Sequence, residues 1–190
     1  YLTINVKAIK ILVTICLFAL GYHTEAQVNW TNDGSSYFKS EKSQLVTYSL
    51  PGNETKVVIS KEQLTPAGRS EPLDIAHFSF SSDQQKVLLF TNTKRVWRLN
   101  SKGDYYVYNF KTNALTQIGK SLPASSLMFA KFSPDGKTIA YVSQNNLYSE
   151  DYASGKITAL TTNGFVSLIN GTFDWAYEEE FACRDGFRWS

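Results

Sequence analysis

From about residue 28 onward, apolar and polar positions alternate in short runs separated by clusters of Ser, Asp, Asn, Gly and Pro. That pattern predicts short half-buried strands joined by tight turns. The runs also repeat. Phe80–Phe90 matches Phe132–Val142 without a gap, each with an aromatic-Ser strand end, an Asp-containing turn and a hydrophobic strand. In the second copy Pro134-Asp135-Gly136 supplies the turn chemistry, because proline presets φ and glycine accepts a positive one. A third copy begins at Phe187, with Trp189-Ser190 in the place of Phe132-Ser133. Before and between these lie three further alternating pairs with a polar turn, Leu45–Ile59, Tyr106–Ile118 and Leu147–Leu160, which read as hairpins. Two hairpins in about 50 residues give four short strands, the unit of a β-propeller blade. The expected fold class is therefore all-β, a partial β-propeller of four-stranded antiparallel blades. It should hold the outer part of one blade, two fuller blades and the start of another. Ser121–Phe129 reads as loop, and Asp174–Phe181 as a short helical turn.

The first segment follows other rules. Lys7 and Lys10 precede the apolar run Ile11–Leu20, and small or polar residues follow up to Ala26. This predicts a signal peptide helix over 1–26, cut after Ala26, with an uncleaved signal anchor as the alternative. A spanning helix needs about 20 apolar residues, and Lys10 interrupts the run. A bulky Ile15 before Cys16 argues against lipoprotein processing. The expected destination is the periplasm or the outside, or the membrane if the leader stays. The remainder, 27–190, is expected to be an incomplete N-terminal propeller, since Tyr1 and Trp189-Ser190 read as the ends of a fragment.

Composition narrows the chemistry. The chain of 190 residues is 43% hydrophobic and carries a net charge of +2 with no Lys/Arg run, which argues against a nucleic-acid partner. Two His and two Cys leave little for a metal site, and no phosphate-cradling Gly loop suggests a cofactor. Once the leader is removed, Cys183 has no partner within the chain. There is no G-x-S-x-G elbow, and His77, at the start of a strand, reads as structural. No catalytic residue, metal ligand or cofactor is expected within this fragment.

One stretch stands out. Glu178, Glu179 and Glu180 follow one another between Tyr177 and Phe181, with Trp175 nearby. A solvated run is the ordinary reading of three glutamates, but the aromatic flanks predict partial burial. Carboxylates held close together repel and need a cation, and a primary ammonium with three donors suits them. Arg98, in the insertion 94–105 between two strand hairpins, could hold a carbonyl or carboxylate, or else stack on Trp97 or face solvent.

At these residues the chain resembles the N-terminal propeller of the dipeptidyl peptidase IV family, in the prolyl oligopeptidase group of serine peptidases. The resemblance lies in Asp174-Trp175-Ala176-Tyr177-Glu178-Glu179-Glu180, in Val96-Trp97-Arg98 with Asp104–Tyr108, and in the Phe132–Gly136 turn. Phe181–Phe187 differs from the animal enzymes and is similar to bacterial members. The resemblance implies an exported exopeptidase that releases N-terminal dipeptides with Pro or Ala at the second position. It implies that Glu179 and Glu180 bind the substrate's free α-ammonium and that Arg98 contacts a backbone carbonyl. The triad would come from a hydrolase domain missing from this chain, so the fragment alone should be inactive. The expected partners are a peptide with a free amino terminus, that hydrolase domain and, as an option, a second copy in a homodimer. A different class of reading also stands: a non-catalytic propeller used as a binding module, whose glutamates grip a partner's basic group or lie in solvent.

Overall fold

The computed structural model describes residues 28–190; the expected leader lies outside the described residues. Twelve strands and one short helix make up this region. Strands β1 (Asn29–Trp30), β2 (Ser36–Glu41), β3 (Gln44–Ser49) and β4 (Thr55–Ile59) form one antiparallel sheet in sequence order. A second meander follows in β5 (His77–Phe80), β6 (Lys86–Val96), β7 (Leu99–Asn109) and β8 (Ala114–Ile118), and a third in β9 (Leu127–Phe132), β10 (Thr138–Ser143), β11 (Asn146–Asp151) and β12 (Ile157–Ala159). The second and third are joined at one corner, where β7 and β9 pair through Lys102↔Met128 and Gly103↔Leu127. These are three four-stranded antiparallel blades, where the repeat predicts two fuller ones and the outer part of the first. The first has two inner strands, β1 and β2, that the sequence pattern did not reveal.

Each blade stacks on its neighbours because its central strands are apolar on both sides. Successive strand side chains point to opposite faces. Val87 and Leu89 therefore join Tyr106 and Tyr108 in a core shared with Leu45, Ile59, Leu64 and Leu73 around the first blade. Leu88 and Phe90 instead join Tyr105 and Val107 in a core shared with Ile139 and Tyr141 of the third. Val87 to Phe90 are all buried, as are Ile139 to Val142. At about 1.5–3 kcal/mol for each large side chain removed from water, these two cores are the main force holding the blades together.

The turns between the first two strands of the blades share one design. In the second and third blades the Ser81 and Ser133 hydroxyls donate to Asp83 and Asp135 at 2.7 and 2.6 Å, and accept from the amides of Lys86 and Thr138. The first blade has the same turn, with Thr31 donating to Asp33 at 2.6 Å and accepting from the Ser36 amide. Gly34, Gln84 and Gly136 occupy the left-handed position in the three turns. The turns also touch. Gln84 donates to the Trp30 carbonyl and accepts from the Asn32 amide, and Ser82 donates to the Pro134 carbonyl at 2.6 Å. One end of the blade stack is thus laced by hydrogen bonds.

Beyond Thr91 and Asp104, strands β6 and β7 leave the blade and continue as a two-stranded arm turning at Trp97 and Arg98. The insertion expected between hairpins is therefore itself a hairpin, with register shifts between Thr91 and Lys94 and between Lys94 and Val96.

Two outcomes are expected. Leu88→Ala and Leu89→Ala should each cost about 2–5 kcal/mol in denaturant unfolding. Because these neighbours serve separate cores, the double variant should lose close to the sum. The second concerns pH. The Thr31 hydroxyl first, with the amide and hydroxyl of Ser35, holds the Asp33 carboxyl down at about 2. A depressed folded-state value contributes stability above the unfolded value of 3.8, and that contribution is lost as pH falls toward about 2. Asp33→Asn should lower the urea midpoint at pH 5–7, with the difference from the native chain shrinking below pH 4 and vanishing near pH 2.

Candidate functional site

Strands that alternate in direction put all the Asp turns at one end of the blades. The opposite end receives the arm tip, the β10–β11 turn and the connection from β12 onward. Arg98 and the three glutamates therefore reach the same end from different blades.

The glutamates lie on α1 (Trp175–Phe181). Asp174 caps it, accepting from the Tyr177 amide at 3.1 Å, and Ala182 ends it with a left-handed backbone. A cap of this kind is worth about 1 kcal/mol, much of what a seven-residue helix needs. The chain on either side is pinned. Thr172 pairs with Asp185, and the Gly186 amide donates to the Gly171 carbonyl at 2.9 Å. The helix is thus a short excursion between two paired stretches. The loop before it is tied to the β10–β11 turn, where Asn170 donates to the Asn145 carbonyl and Asn146 accepts from the Gly164 amide. Gly164 has no room for a side chain, since a Cβ there would stand 2.1 Å from the Asn145 carbonyl oxygen. After the helix, Asp185 forms an ion pair with Lys131 of β9. Burial pushes its carboxyl up, but Lys131 and Arg188 outweigh that and hold it below the ordinary range.

Successive helix residues are turned by about 100°, so the three carboxylates fan out. Glu178 turns inward, and one of its carboxylate oxygens is buried without a hydrogen-bond partner among the described residues. Glu179, with 15% of its side chain exposed, meets the Arg98 guanidinium at 2.5 Å, while the Arg98 side chain is 74% exposed. Glu180 faces solvent. The structure thus brings Arg98 and Glu179 into contact and leaves Glu180 open beside them.

Glu178 and Glu179 are partly buried as expected, while Glu180 is exposed, but the aromatic flanks are not what buries them. Trp175, Tyr177 and Phe181 are all exposed. Phe173, Tyr177 and Phe181 instead stack along the outer side of the helix, with ring centroids 5.5 and 5.8 Å apart. Four-residue spacing puts these rings on one face and turns Glu178 and Glu179 away from it. Arg98 does not stack on Trp97; it is Arg95 that donates to the Trp97 carbonyl, at 2.8 Å.

A cleft of about 600 Å³ lies beside the arm, lined by His77, Phe90, Ser101, Tyr105, Lys131 and Asp185 among others. Leu99, the residue after Arg98, is on its wall; Arg98 and Glu179 themselves do not line it. Among the described residues no group of His, Cys, Asp and Glu is arranged to hold a metal ion.

Sequence reasoning gave no role to Asp104, which is buried at the root of the arm. It accepts from the Asn92 side-chain amide at 2.7 Å and from the Ser125 backbone amide at 2.6 Å. An Asp opening the apolar run Tyr105–Tyr108 was the available signal, because a buried carboxylate must be satisfied by donors.

Comparisons with known proteins agree with this architecture. A family model described as the dipeptidyl peptidase IV (DPP IV) N-terminal region matches residues 81–190. Dipeptidyl aminopeptidase B of Saccharomyces cerevisiae is 31% identical over 179 residues, covering 88% of this chain and 20% of the yeast protein. Dipeptidyl peptidase 4 of Trichophyton rubrum is 28% identical over 155 residues, covering 82% of this chain and 19% of its own. The crystal structure of Porphyromonas gingivalis dipeptidyl peptidase 4 shares the fold, with a TM-score of 0.72 at 23% identity over 97% of this chain and 26% of that one. The chain spans about one fifth of the length of the curated relatives it matches. With its repeated antiparallel blades and a family match over more than half its length, the chain belongs to the dipeptidyl peptidase IV N-terminal family.

Proposed function

We propose that this chain is the N-terminal propeller portion of an exported serine exopeptidase that releases dipeptides with Pro or Ala at the second position, and that it supplies the clamp for the substrate's amino terminus. In this reading Glu179 and Glu180 take the free α-ammonium and Arg98 takes a backbone carbonyl. A hydrolase domain following in the same chain carries the nucleophile, its base and the oxyanion donors. The leader directs the protein to the periplasm or outside the cell.

The observation that carries the reading is the meeting of Arg98, from the arm of one blade, with Glu179 on a helix that follows the next. Only the Arg98 end of the pair is in solvent, at 74% exposed against 15% for Glu179, so Arg98 can leave for water while a substrate ammonium takes its place on the sheltered carboxylate. The ammonium's three N–H bonds diverge, and they can reach two carboxylates that fan apart on one helix. Arg98, released from Glu179, then turns its planar donors to the peptide. Fixing the ammonium sets how much of the peptide reaches the reacting groups, so the clamp acts as a ruler and as a positioning device.

The test uses the full-length protein. A free-amine dipeptidyl substrate should bind and turn over, and its N-acetylated form should do neither. Two charge-assisted hydrogen bonds at about 1.5–3 kcal/mol each make Glu179→Gln with Glu180→Gln lower kcat/KM by about 100-fold or more. Equal affinity for the free and acetylated peptides would contradict the clamp. Binding of the free amine without turnover would favour a binding module instead.

A further inference from the structure

Arg98 sits at the tip of an arm with no sheet neighbours along most of its length. Asp104 lies six positions further along the chain, and at about 3.3 Å per residue the tip stands about 20 Å from the root. A tilt of about 10° at the root would move the tip by about 3–4 Å, more than the 2.5 Å that separates Arg98 from Glu179. Something at the root must therefore fix the angle.

Asp104 is placed to do this. It is the last blade residue of β7 before the arm, paired with Thr91, and 8% exposed. One carboxylate oxygen accepts from the Asn92 amide group at 2.7 Å and the other from the Ser125 backbone N–H at 2.6 Å. The Asn92 amide also donates to the Ser125 hydroxyl at 2.5 Å, closing a triangle. Asn92 and Ser125 both have left-handed backbones, with φ of 48° and 52°. Residues with a Cβ adopt this region at a cost and hold it only where their surroundings impose it. Asn92 lies within the first register shift, where the arm departs from the blade, and Ser125 lies in the loop leading into β9. The next residue, Gly103, allows no slack, because a Cβ there would stand 2.6 Å from both the Phe90 ring and the Thr91 carbonyl oxygen.

We propose that Asp104 is a positioning residue. By binding Asn92 and Ser125 together, it fixes the angle at which the arm leaves the blade and so holds the Arg98 guanidinium beside Glu179. Its functional consequence rests on the clamp reading; its structural consequence does not.

The experiment joins two readouts on the full-length protein. The first is amide hydrogen exchange. Asp104→Ala should speed exchange over residues 92–103 and 120–126 and leave β10 unchanged. The exchanged pair Asn92→Asp with Asp104→Asn, which can rebuild the bonds with donor and acceptor reversed, should restore protection. The second is a double-variant cycle in kcat/KM for a free-amine dipeptidyl substrate. Asp104→Ala should cost about 10- to 100-fold, and Asp104→Ala with Arg98→Ala should be no worse than Arg98→Ala alone. Should Asp104→Ala not fold, Asp104→Asn, which is of equal size, carries both measurements. Unchanged exchange in the arm, or a loss that adds in full to that of Arg98→Ala, overturns the proposal. If Arg98→Ala leaves kcat/KM unchanged, the clamp reading fails and the positioning role is decided by exchange alone.

Discussion

The central strands of each blade must bury both of their faces. In β6, Leu88 and Leu89 are neighbours in the chain yet belong to different cores, one shared with the third blade and one with the first. A sheet of this kind cannot stop at two layers, because each outer face needs another blade. Radial stacking follows, and it dictates where connections fall. Turns of the Thr31–Ser36 kind gather at one end, and the arm and the helix-bearing connection at the other. Arg98 and Glu179 are brought together by the packing of the blades between them, since their own contact is too weak to do so.

Polar groups finish what the apolar cores begin. At the laced end, hydroxyl–carboxylate pairs such as Ser133–Asp135 shape each turn, and Gln84 and Ser82 bind one turn to the next. At the other end, one buried carboxylate holds the root of the arm, while the tip depends on an ion pair whose guanidinium end is exposed. The contrast suits the proposed role. A rigid root keeps the guanidinium in place, and a weakly held tip lets a substrate ammonium displace it from Glu179 without a large cost.

Much of this was legible in the sequence. Strand alternation and the Phe80/Phe132 repeat disclose the second and third blades, because buried strands and Ser-x-Asp turns leave regular marks. Asp174–Phe181 reads as a short helical turn, and the structure has a helix there, with Asp174 as its cap. The first blade's two inner strands were missed because β1 has two residues, too few for any period, and the turn into β2 has Thr31-Asn32 where Ser133-Pro134 stands in the clearest copy. The start of β9 was read as loop because Phe129 has a left-handed backbone and the pairing with β10 shifts register, which breaks the alternation. The aromatic flanks of the glutamates misled in direction, since sequence gives the spacing of Phe173, Tyr177 and Phe181 but not which way their face turns. Asp104, opening the apolar run Tyr105–Tyr108, could have been marked as a buried carboxylate, but not its partners, since Asn92 and Ser125 are joined to it only by the fold.

The most direct test of the account is a crystal structure of the full-length protein with a slowly processed peptide bearing a free amino terminus. The account predicts the ammonium nitrogen within hydrogen-bond distance of the Glu179 and Glu180 carboxylates, with Arg98 moved from Glu179 onto a peptide carbonyl. A peptide bound with its ammonium away from α1, or with the Arg98–Glu179 pair still closed, would contradict it.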